Sequence, residues 1–169
     1  MANLLRVYWD ACAWIAYISQ EKSVDIGDGR TENRFAMCAD ILDRAQAGKL
    51  EIVTSAFTLA EVCKNPEVKD SPIDNLAKFF ERSYILTIPV DMAIGRHAQN
   101  LQVSGSTNLK PPDAIHLASA LRACVGELHT FDAKILKLDG TLPGVDNKPM
   151  KICKPNEAEP IGGLFGDGS

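Results

Sequence analysis

The feature that most constrains the fold is an alternation of short apolar runs with longer helical segments. The first two runs, LLRVYW at 4–9 and LEIVT at 50–54, have the composition of buried strands, and a helix-like segment follows each of them. Strands that alternate with helices favour parallel pairing, because each helix returns the chain to the starting edge of the sheet. We therefore predict an α/β fold with a mostly parallel central sheet covered by helices.

The same periodicities predict the individual elements. Strands are expected at 4–9, 50–54, 84–88, 127–131 and 150–153. Helices are expected at 11–19, 34–47, 59–64, 73–82, 91–103, 112–125 and 133–138. Asp91 can cap the fifth of these helices, and Pro112 opens the sixth. Residues 20–33 and 104–110 are predicted loops. We expect one domain over residues 1–154 and a flexible tail over 155–169, which is rich in Gly, Pro and acid.

Composition excludes several classes of protein. The chain has 169 residues, which suits a single domain, and no stretch approaches the roughly 20 apolar residues of a membrane span. It carries 18 Lys and Arg against 22 Asp and Glu, so it is not a polycation that holds nucleic acid by charge alone. Its five cysteines are scattered, without a CxxC pair or a Cys/His cluster. We expect a reducing, cytoplasmic location and no membrane association.

Two aspartates directly follow predicted strands. Asp10 comes after the first strand and is the only charged residue between Arg6 and Glu21, and Asp132 stands between a short strand and a helix in HTFDAKILKL. An aspartate between a strand and a helix is a favourable N-cap, which is the ordinary explanation for both. A carboxylate in apolar surroundings is also costly unless it is paired or binds a metal, so a role in a site stays open.

Two further acids lie on predicted helices. Glu61 in SAFTLAEVCK has apolar neighbours, and it can belong to a capping box with Thr58 or to a solvated helix face. Asp113 lies at the start of the helix in PPDAIHLASALRACV, which is apolar on nearly every side and should be buried against the sheet. An acid in the first turn interacts favourably with the helix dipole, which is again an ordinary explanation.

Together the four acids form a pattern that single explanations do not cover. A parallel sheet gathers strand-end residues at one edge, where ligands bind in such folds. Two unit charges about 4 Å apart repel by about 4 kcal/mol at an effective dielectric of ~20, so converging carboxylates need a cation. Oxygen ligands without a Cys/His set favour Mg²⁺ or Mn²⁺ over Zn²⁺. Such ions commonly serve phosphate chemistry, because they activate water and stabilise the attacking and leaving oxygens.

At these residues the chain resembles the PIN-domain family of metal-dependent ribonucleases, in particular the VapC-type toxins of bacterial and archaeal toxin–antitoxin systems. The resemblance covers residues 4–153, and its elements stand in family order: VYWDACAWIAYI, TLAEV, PPDAIHLASAL and HTFDAKIL. The third element is the most specific. The resemblance implies a three-layer α/β/α fold with a mostly parallel central sheet.

The resemblance also implies a site and a reaction. Asp10 and Asp113 would be the most direct ligands of Mg²⁺ or Mn²⁺, Glu61 and Asp132 would bind directly or through water, and Thr130 would help to order water or substrate. The activity would be endoribonuclease cleavage by metal-activated water, leaving 5′-phosphate and 3′-hydroxyl ends. The expected partners are an RNA substrate, a second copy of the chain in a homodimer, and a small antitoxin that covers the acidic cleft.

One residue departs from the family pattern and bears on the alternatives. The family usually places Ser, Thr or Asn two residues after the first aspartate, where this chain has Cys12. A dehalogenase-type phosphatase would need a second aspartate at that place, and no GxxxxGK[ST] motif of a P-loop enzyme is present. A PIN-like module that binds RNA or protein without cutting stays open. His116, one turn after Asp113, is predicted to be a packed, hydrogen-bonded histidine, although it can also face the acids.

Overall fold

The computed structural model describes residues 4–69, 76–105 and 108–155. The strands are β1 (Leu5–Trp9), β2 (Val24–Asp25), β3 (Thr31–Glu32), β4 (Leu50–Ser55), β5 (Ile85–Ile88), β6 (Glu127–His129) and β7 (Lys151–Cys153). The helices are α1 (Ala11–Ile18), α2 (Arg34–Gln46), α3 (Ala56–Glu61), α4 (Pro66–Lys69), α5 (Leu76–Phe79), α6 (Met92–Ser104), α7 (Pro111–Arg122) and α8 (Ala133–Leu136). A 3₁₀ turn over Val62–Lys64 directly follows α3.

The central sheet has five strands in the order β5-β4-β1-β6-β7. Each neighbouring pair in it is parallel, so the prediction of a mostly parallel sheet is confirmed. β1 occupies the middle, with β4 on one side and β6 on the other. The chain thus builds outward from β1 to β4 and β5 and then returns to the opposite side, which makes the carboxyl end of β1 a switch point of the topology.

Helices cover both faces of this sheet, because successive side chains of a strand point to opposite sides. On one face, Val7 and Trp9 pack in a core with residues of α1 and α2. On the other face, Tyr8 packs in a second core with Ile94 of α6 and Leu117 of α7. The two cores give the three layers of the predicted α/β/α architecture.

An aromatic cluster around Trp14 lies within the first core. The Trp14 ring lies 4.6 Å from Trp9, 4.9 Å from Phe80 and 5.8 Å from Phe79 between ring centroids, each in an edge-on arrangement. The Trp14 indole N–H also donates to the Thr54 hydroxyl at 3.1 Å. Helix α1 is thereby fixed against β1 and β4, directly beside the end of β1.

One prediction of local structure needs correction. Residues 20–33 are not only a loop, because β2 and β3 pair there as a small antiparallel hairpin. Its turn uses positive φ angles at Gly27 and Gly29, which glycine adopts without steric cost. The helical turns after β4 end at Lys64 as predicted, and Pro66 begins the short helix α4, where its fixed φ suits the first helical position.

Some predictions lie wholly or partly outside the described residues. These are the first turn of the helix expected at 73–82, part of the loop expected at 104–110, and the tail expected at 155–169 apart from Pro155. Among the residues that are described, no helix is long and apolar enough to cross a membrane.

Candidate metal centre

The four predicted acids lie around the carboxyl ends of the three central strands. Asp10 follows β1, Asp132 follows β6 by three residues, and Glu61 ends α3, which follows β4. Asp113 lies in the first turn of α7, the helix that packs across β4. The parallel order of β4, β1 and β6 is what brings these distant positions to one edge of the sheet.

Asp10 lies at the centre of this arrangement and is buried, with only 2% of its surface exposed. One carboxylate oxygen, Oδ1, accepts the N–H of Ala13 at 3.1 Å, so Asp10 is indeed the N-cap of α1. The other oxygen, Oδ2, accepts the hydroxyl of Thr130 at 2.5 Å. The capping explanation is therefore correct but incomplete, because a second contact links Asp10 to the segment after β6.

Thr130 connects two of the predicted acids. Its hydroxyl donates to Asp10 and accepts the backbone N–H of Asp132 at 3.0 Å. Asp132 in turn caps α8, where its Oδ1 accepts the N–H of Lys134 at 2.7 Å. Thr130 is fully buried, so this connection is fixed by packing as well as by hydrogen bonds.

Electrostatics show that the carboxylates are close enough to act on one another. Burial raises the pKa of Asp10, and the charge of Asp132 raises it further, while His116 and the Thr130 hydroxyl act in the opposite direction. Burial also raises the pKa of Asp113, with added repulsion from Asp132 and Glu61. Each of these aspartates therefore holds its negative charge at a cost, which a nearby cation would lower.

The pKa of the Cys12 thiol is affected by all four acids. Its thiol is exposed, yet the charges of Asp10, Asp132, Glu61 and Asp113, together with desolvation, raise its pKa strongly. Asp10 makes the largest contribution. The thiol of Cys12 thus lies within the field of the whole acid group, which we call the acid pocket: Asp10, Glu61, Asp113 and Asp132.

The raised pKa of Cys12 predicts slow alkylation. At pH 8, iodoacetamide should modify Cys12 at least about tenfold more slowly than the exposed thiols of Cys63 and Cys124, because only the thiolate reacts. Peptide mass spectrometry against time measures all three rates in one sample. The double variant Asp10→Asn/Asp113→Asn should speed the reaction of Cys12 alone, and equal rates at the three thiols of the unaltered chain would contradict the arrangement.

The hydrogen-bond partner of Glu61 is distant in the sequence and could not be inferred from its neighbours. The capping box with Thr58 is wrong, because Thr58 lies inside α3 and its hydroxyl is bonded to that of Thr54 at 2.9 Å. The carboxylate of Glu61 instead meets Nε2 of His116 at 2.7 Å. Its side chain is 16% exposed, so it lies at the rim of the pocket rather than on a solvated helix face.

His116 is a site neighbour whose importance the sequence only partly indicated. It is buried, 3% exposed, and hydrogen-bonded, so the prediction of a packed histidine is confirmed. It also contacts Glu61 and acts electrostatically on Asp10 and Asp113, so it borders the pocket as well. The available signal was its spacing of three residues from Asp113, which places both on one side of α7.

A second buried polar group, Glu127, His129 and Cys153, was not predicted at all. Their potential ligand atoms lie within 4.8 Å of one another on β6 and β7. Trp9 donates its indole N–H to Nδ1 of His129 at 3.1 Å, so Nε2 carries the hydrogen that Glu127 accepts at 3.0 Å. Burial lowers the pKa of His129 and keeps the ring neutral. Both ring nitrogens are therefore used within the protein, as in a structural network.

The acid pocket has the donor set that a hard divalent cation requires. It offers carboxylate oxygens and a neighbouring threonine hydroxyl, with no histidine or thiolate required as a ligand. Burial, with added repulsion from neighbouring carboxylates, raises the pKa of Asp10 and Asp113, and a nearby cation would lower both costs. On both grounds these residues fit Mg²⁺ or Mn²⁺.

Comparison with known proteins supports the fold described above. Residues 7–141 match the family model of the PIN domain. The chain belongs to the PIN-domain family. Among solved structures, this PIN domain is similar to the toxin VapC20 of Mycobacterium tuberculosis, with 17% identity, a TM-score of 0.50, and coverage of 75% of this chain and 90% of that one. It also matches FitAcB of Neisseria gonorrhoeae, with 16% identity, a TM-score of 0.45, and coverage of 76% and 88%. No significant match was found among curated proteins.

Proposed function

We propose that this PIN domain is a divalent-metal-dependent endoribonuclease. The observation that carries the proposal is that Asp10, Glu61, Asp113 and Asp132 lie around the carboxyl ends of the three central strands, at the switch point of the sheet. PIN domains are generally nucleases, and the acids that give the chain its family resemblance are the acids that gather. A cluster of this kind, at this place in a parallel sheet, suits phosphodiester chemistry better than binding alone.

The roles of the residues follow from their surroundings. Asp10 and Asp113 would hold the cation most directly, with Glu61 and Asp132 as direct or water-mediated ligands. The cation supplies an activated water and stabilises the charge that develops on the scissile phosphate. Asp10 is fixed at both oxygens, by Ala13 and by Thr130, so its carboxylate is already oriented before substrate arrives. Thr130 maintains the spacing between Asp10 and the segment of Asp132.

The substrate we propose is RNA, with 5′-phosphate and 3′-hydroxyl products. The net charge of −4 does not exclude it, because bound divalent cations would offset the four pocket acids locally. VapC20, which has a similar fold, is described as a toxin that cleaves the sarcin–ricin loop. We extend the proposal accordingly to the toxin of a toxin–antitoxin pair, acting in the cytoplasm as a homodimer. Its antitoxin would cover the pocket and place Arg or Lys among the carboxylates.

A cleavage assay tests the proposed activity. The purified protein should cut single-stranded RNA in Mn²⁺, should stop in EDTA, and should recover when Mn²⁺ is returned in excess. Calorimetry on the same sample should show Mn²⁺ binding, because the cation is required by the pocket. RNA cutting that continues in EDTA would contradict the proposal, and an absence of both Mn²⁺ binding and cutting would favour a PIN-like module that only binds.

A growth assay tests the toxin proposal separately. Expression of the chain alone in a bacterial host should slow growth, and expression of Asp10→Asn at the same level should not. Co-expression of the small gene immediately upstream of the natural one should restore growth. If the active nuclease had no effect on growth, the toxin assignment would fail while the nuclease assignment would stand.

A further inference from the structure

A buried chain of hydrogen bonds runs from the central strand into the acid pocket. The Tyr8 hydroxyl lies 2.9 Å from Nδ1 of His116, and Nε2 of the same ring lies 2.7 Å from Oε2 of Glu61. The three residues come from β1, α7 and α3, and Tyr8 and Glu61 are 53 positions apart in the sequence. The fold, not local sequence, therefore creates the contact.

The direction of the bond to Glu61 follows from what each group can donate. A carboxylate only accepts, so Nε2 of His116 carries the hydrogen in that bond. On the other side of the ring, Nδ1 is hydrogen-bonded to the Tyr8 hydroxyl, which can donate or accept. In either direction this bond fixes the orientation of the ring, so that its Nε2–H points at Glu61.

Packing fixes the ring as firmly as its hydrogen bonds do. Tyr8 is 0% exposed and His116 is 3% exposed. The imidazole meets the ring of Tyr8 edge-on and that of Phe57 at a tilt, each with centroids 5.9 Å apart. The donor at Nε2 therefore has one position, set by residues of the core.

Within the described residues, the Glu61 carboxylate has no side-chain hydrogen bond other than the one to His116. Glu61 is the last residue of α3, and its side chain is partly exposed. Ordering a mobile glutamate side chain costs up to about 2 kcal/mol in lost rotamer entropy. If only the cation ordered Glu61, this cost would weaken the binding of the cation. The bond from His116 orders the side chain before a cation binds.

We propose that Tyr8 and His116 are positioning residues that orient Glu61 for the divalent cation of the acid pocket. This inference rests on the proposed function and adds to it a role for two residues that are not ligands. Groups that orient ligating carboxylates typically change metal affinity by about tenfold to a hundredfold when they are lost. The same range is expected here.

A matched pair of substitutions at His116 separates orientation from packing. The amide nitrogen of Gln stands three bonds from Cβ, as Nε2 of His does, whereas that of Asn stands two bonds away, as Nδ1 does. Mn²⁺ calorimetry on the full chain should therefore show His116→Gln within about threefold of the unaltered affinity, and His116→Asn weaker by about tenfold to a hundredfold. Tyr8→Phe, which removes only the hydroxyl, should weaken binding by severalfold. Thermal unfolding of each metal-free variant provides the measure of folding.

The outcomes separate this inference from the proposed function. Equal Mn²⁺ affinity for the Gln and Asn variants would overturn the positioning role, whether both matched the unaltered chain or both were equally weak. If the unaltered chain bound no Mn²⁺, the proposed function would fail, and this inference with it. If the unaltered chain bound Mn²⁺ and cut RNA, and neither Tyr8→Phe nor His116→Asn had any effect, the proposed function would stand. The positioning role alone would then be refuted.

A spectroscopic test needs no variant, because the chain has three histidines. In ¹⁵N-labelled histidine spectra, His116 and His129 should both show a hydrogen on Nε2, since each is bonded there to a glutamate. His129 is the internal control, because its partner Glu127 lies outside the acid pocket. Adding Mg²⁺ should shift the Nε2 signal of His116 and leave that of His129 nearly unchanged. Signals that did not move, or that moved together, would contradict the proposal.

Discussion

Replacing Asp10 by Asn should reduce RNA cleavage by on the order of a hundredfold to a thousandfold, and Asp113→Asn should have a similar effect. The expected loss follows from removing a negatively charged oxygen from the cation site while keeping the size of the side chain. Rates of Mn²⁺-dependent cleavage under single-turnover conditions measure it. Asn is as good an N-cap as Asp, so an effect of this size at Asp10 would not come from the loss of the cap on α1.

The same substitution should make the metal-free protein more stable at neutral pH. Folding raises the pKa of Asp10 and Asp113 above the ordinary 3.8, so their contribution to folding is complete only below 3.8 and is lost as pH rises through the higher folded values. At neutral pH both carboxylates oppose folding, and an amide removes that cost. The melting temperature of metal-free Asp10→Asn should therefore exceed that of the unaltered chain at pH 7.5, and the difference should shrink towards pH 4.

Together these two measurements discriminate between a structural and a catalytic role for Asp10. A purely structural cap predicts little change in either stability or cleavage. Saturating Mg²⁺ should raise the melting temperature of the unaltered chain and have little effect on Asp10→Asn, because binding to the folded state alone stabilises it. Cleavage that survived Asp10→Asn, or a variant that was less stable at pH 7.5 without metal, would contradict the account.

Replacing Trp14 by Ala should lower the free energy of unfolding by about 3–5 kcal/mol. Trp14 is 0% exposed and is surrounded by the rings of Trp9, Phe79 and Phe80, so its removal leaves a cavity that rigid neighbours cannot fill. Urea unfolding followed by circular dichroism measures the change. A loss below about 1 kcal/mol would mean that the aromatic cluster is not the densely packed core described here.

Two control substitutions provide free energies of unfolding with which the effect of Trp14→Ala can be compared. Trp14→Phe keeps a ring in the cluster and removes the indole N–H, so it should cost about 1–2 kcal/mol. The loss is limited because the Thr54 hydroxyl keeps its bonds to the Trp9 carbonyl and to Thr58. Val103→Ala, at a side chain that is 82% exposed, should change stability by less than about 0.5 kcal/mol.

The fold class was predictable because each element carries its own local signal. The apolar run that ends at Trp9 and the helical spacing of 34–47 both depend on neighbours a few residues away, and both elements are present. The hairpin of β2 and β3 was missed because each strand has only two residues, too few to show an alternation. The placement of β1 between β4 and β6 was not predictable in detail, since it depends on the direction of each crossover.

The four acids could be selected from the sequence one by one, but their contacts could not be predicted from it. Asp10 was noticeable because no other charge lies nearby in the sequence, and the distant position of Thr130 became relevant only through family resemblance. The bond between Glu61 and His116 spans 55 positions and exists because α7 packs against β4, which no local pattern records. The T-x-x-E spacing suggested a contact of Glu61 with Thr58 instead, because a motif of this kind compares only residues that are close in the sequence.

Under the proposed function, the acid pocket would direct a cation-activated water, rather than the 2′-hydroxyl of the RNA, to the scissile phosphate. The most direct test uses an RNA in which the nucleotide on the 5′ side of the mapped cleavage position carries a 2′-deoxyribose. In Mn²⁺ the protein should cut this substrate at the same position as the all-RNA strand, at a comparable rate, leaving a 3′-hydroxyl and a 5′-phosphate. Failure to cut the deoxy-substituted strand, or a 2′,3′-cyclic phosphate on the all-RNA product, would contradict the account.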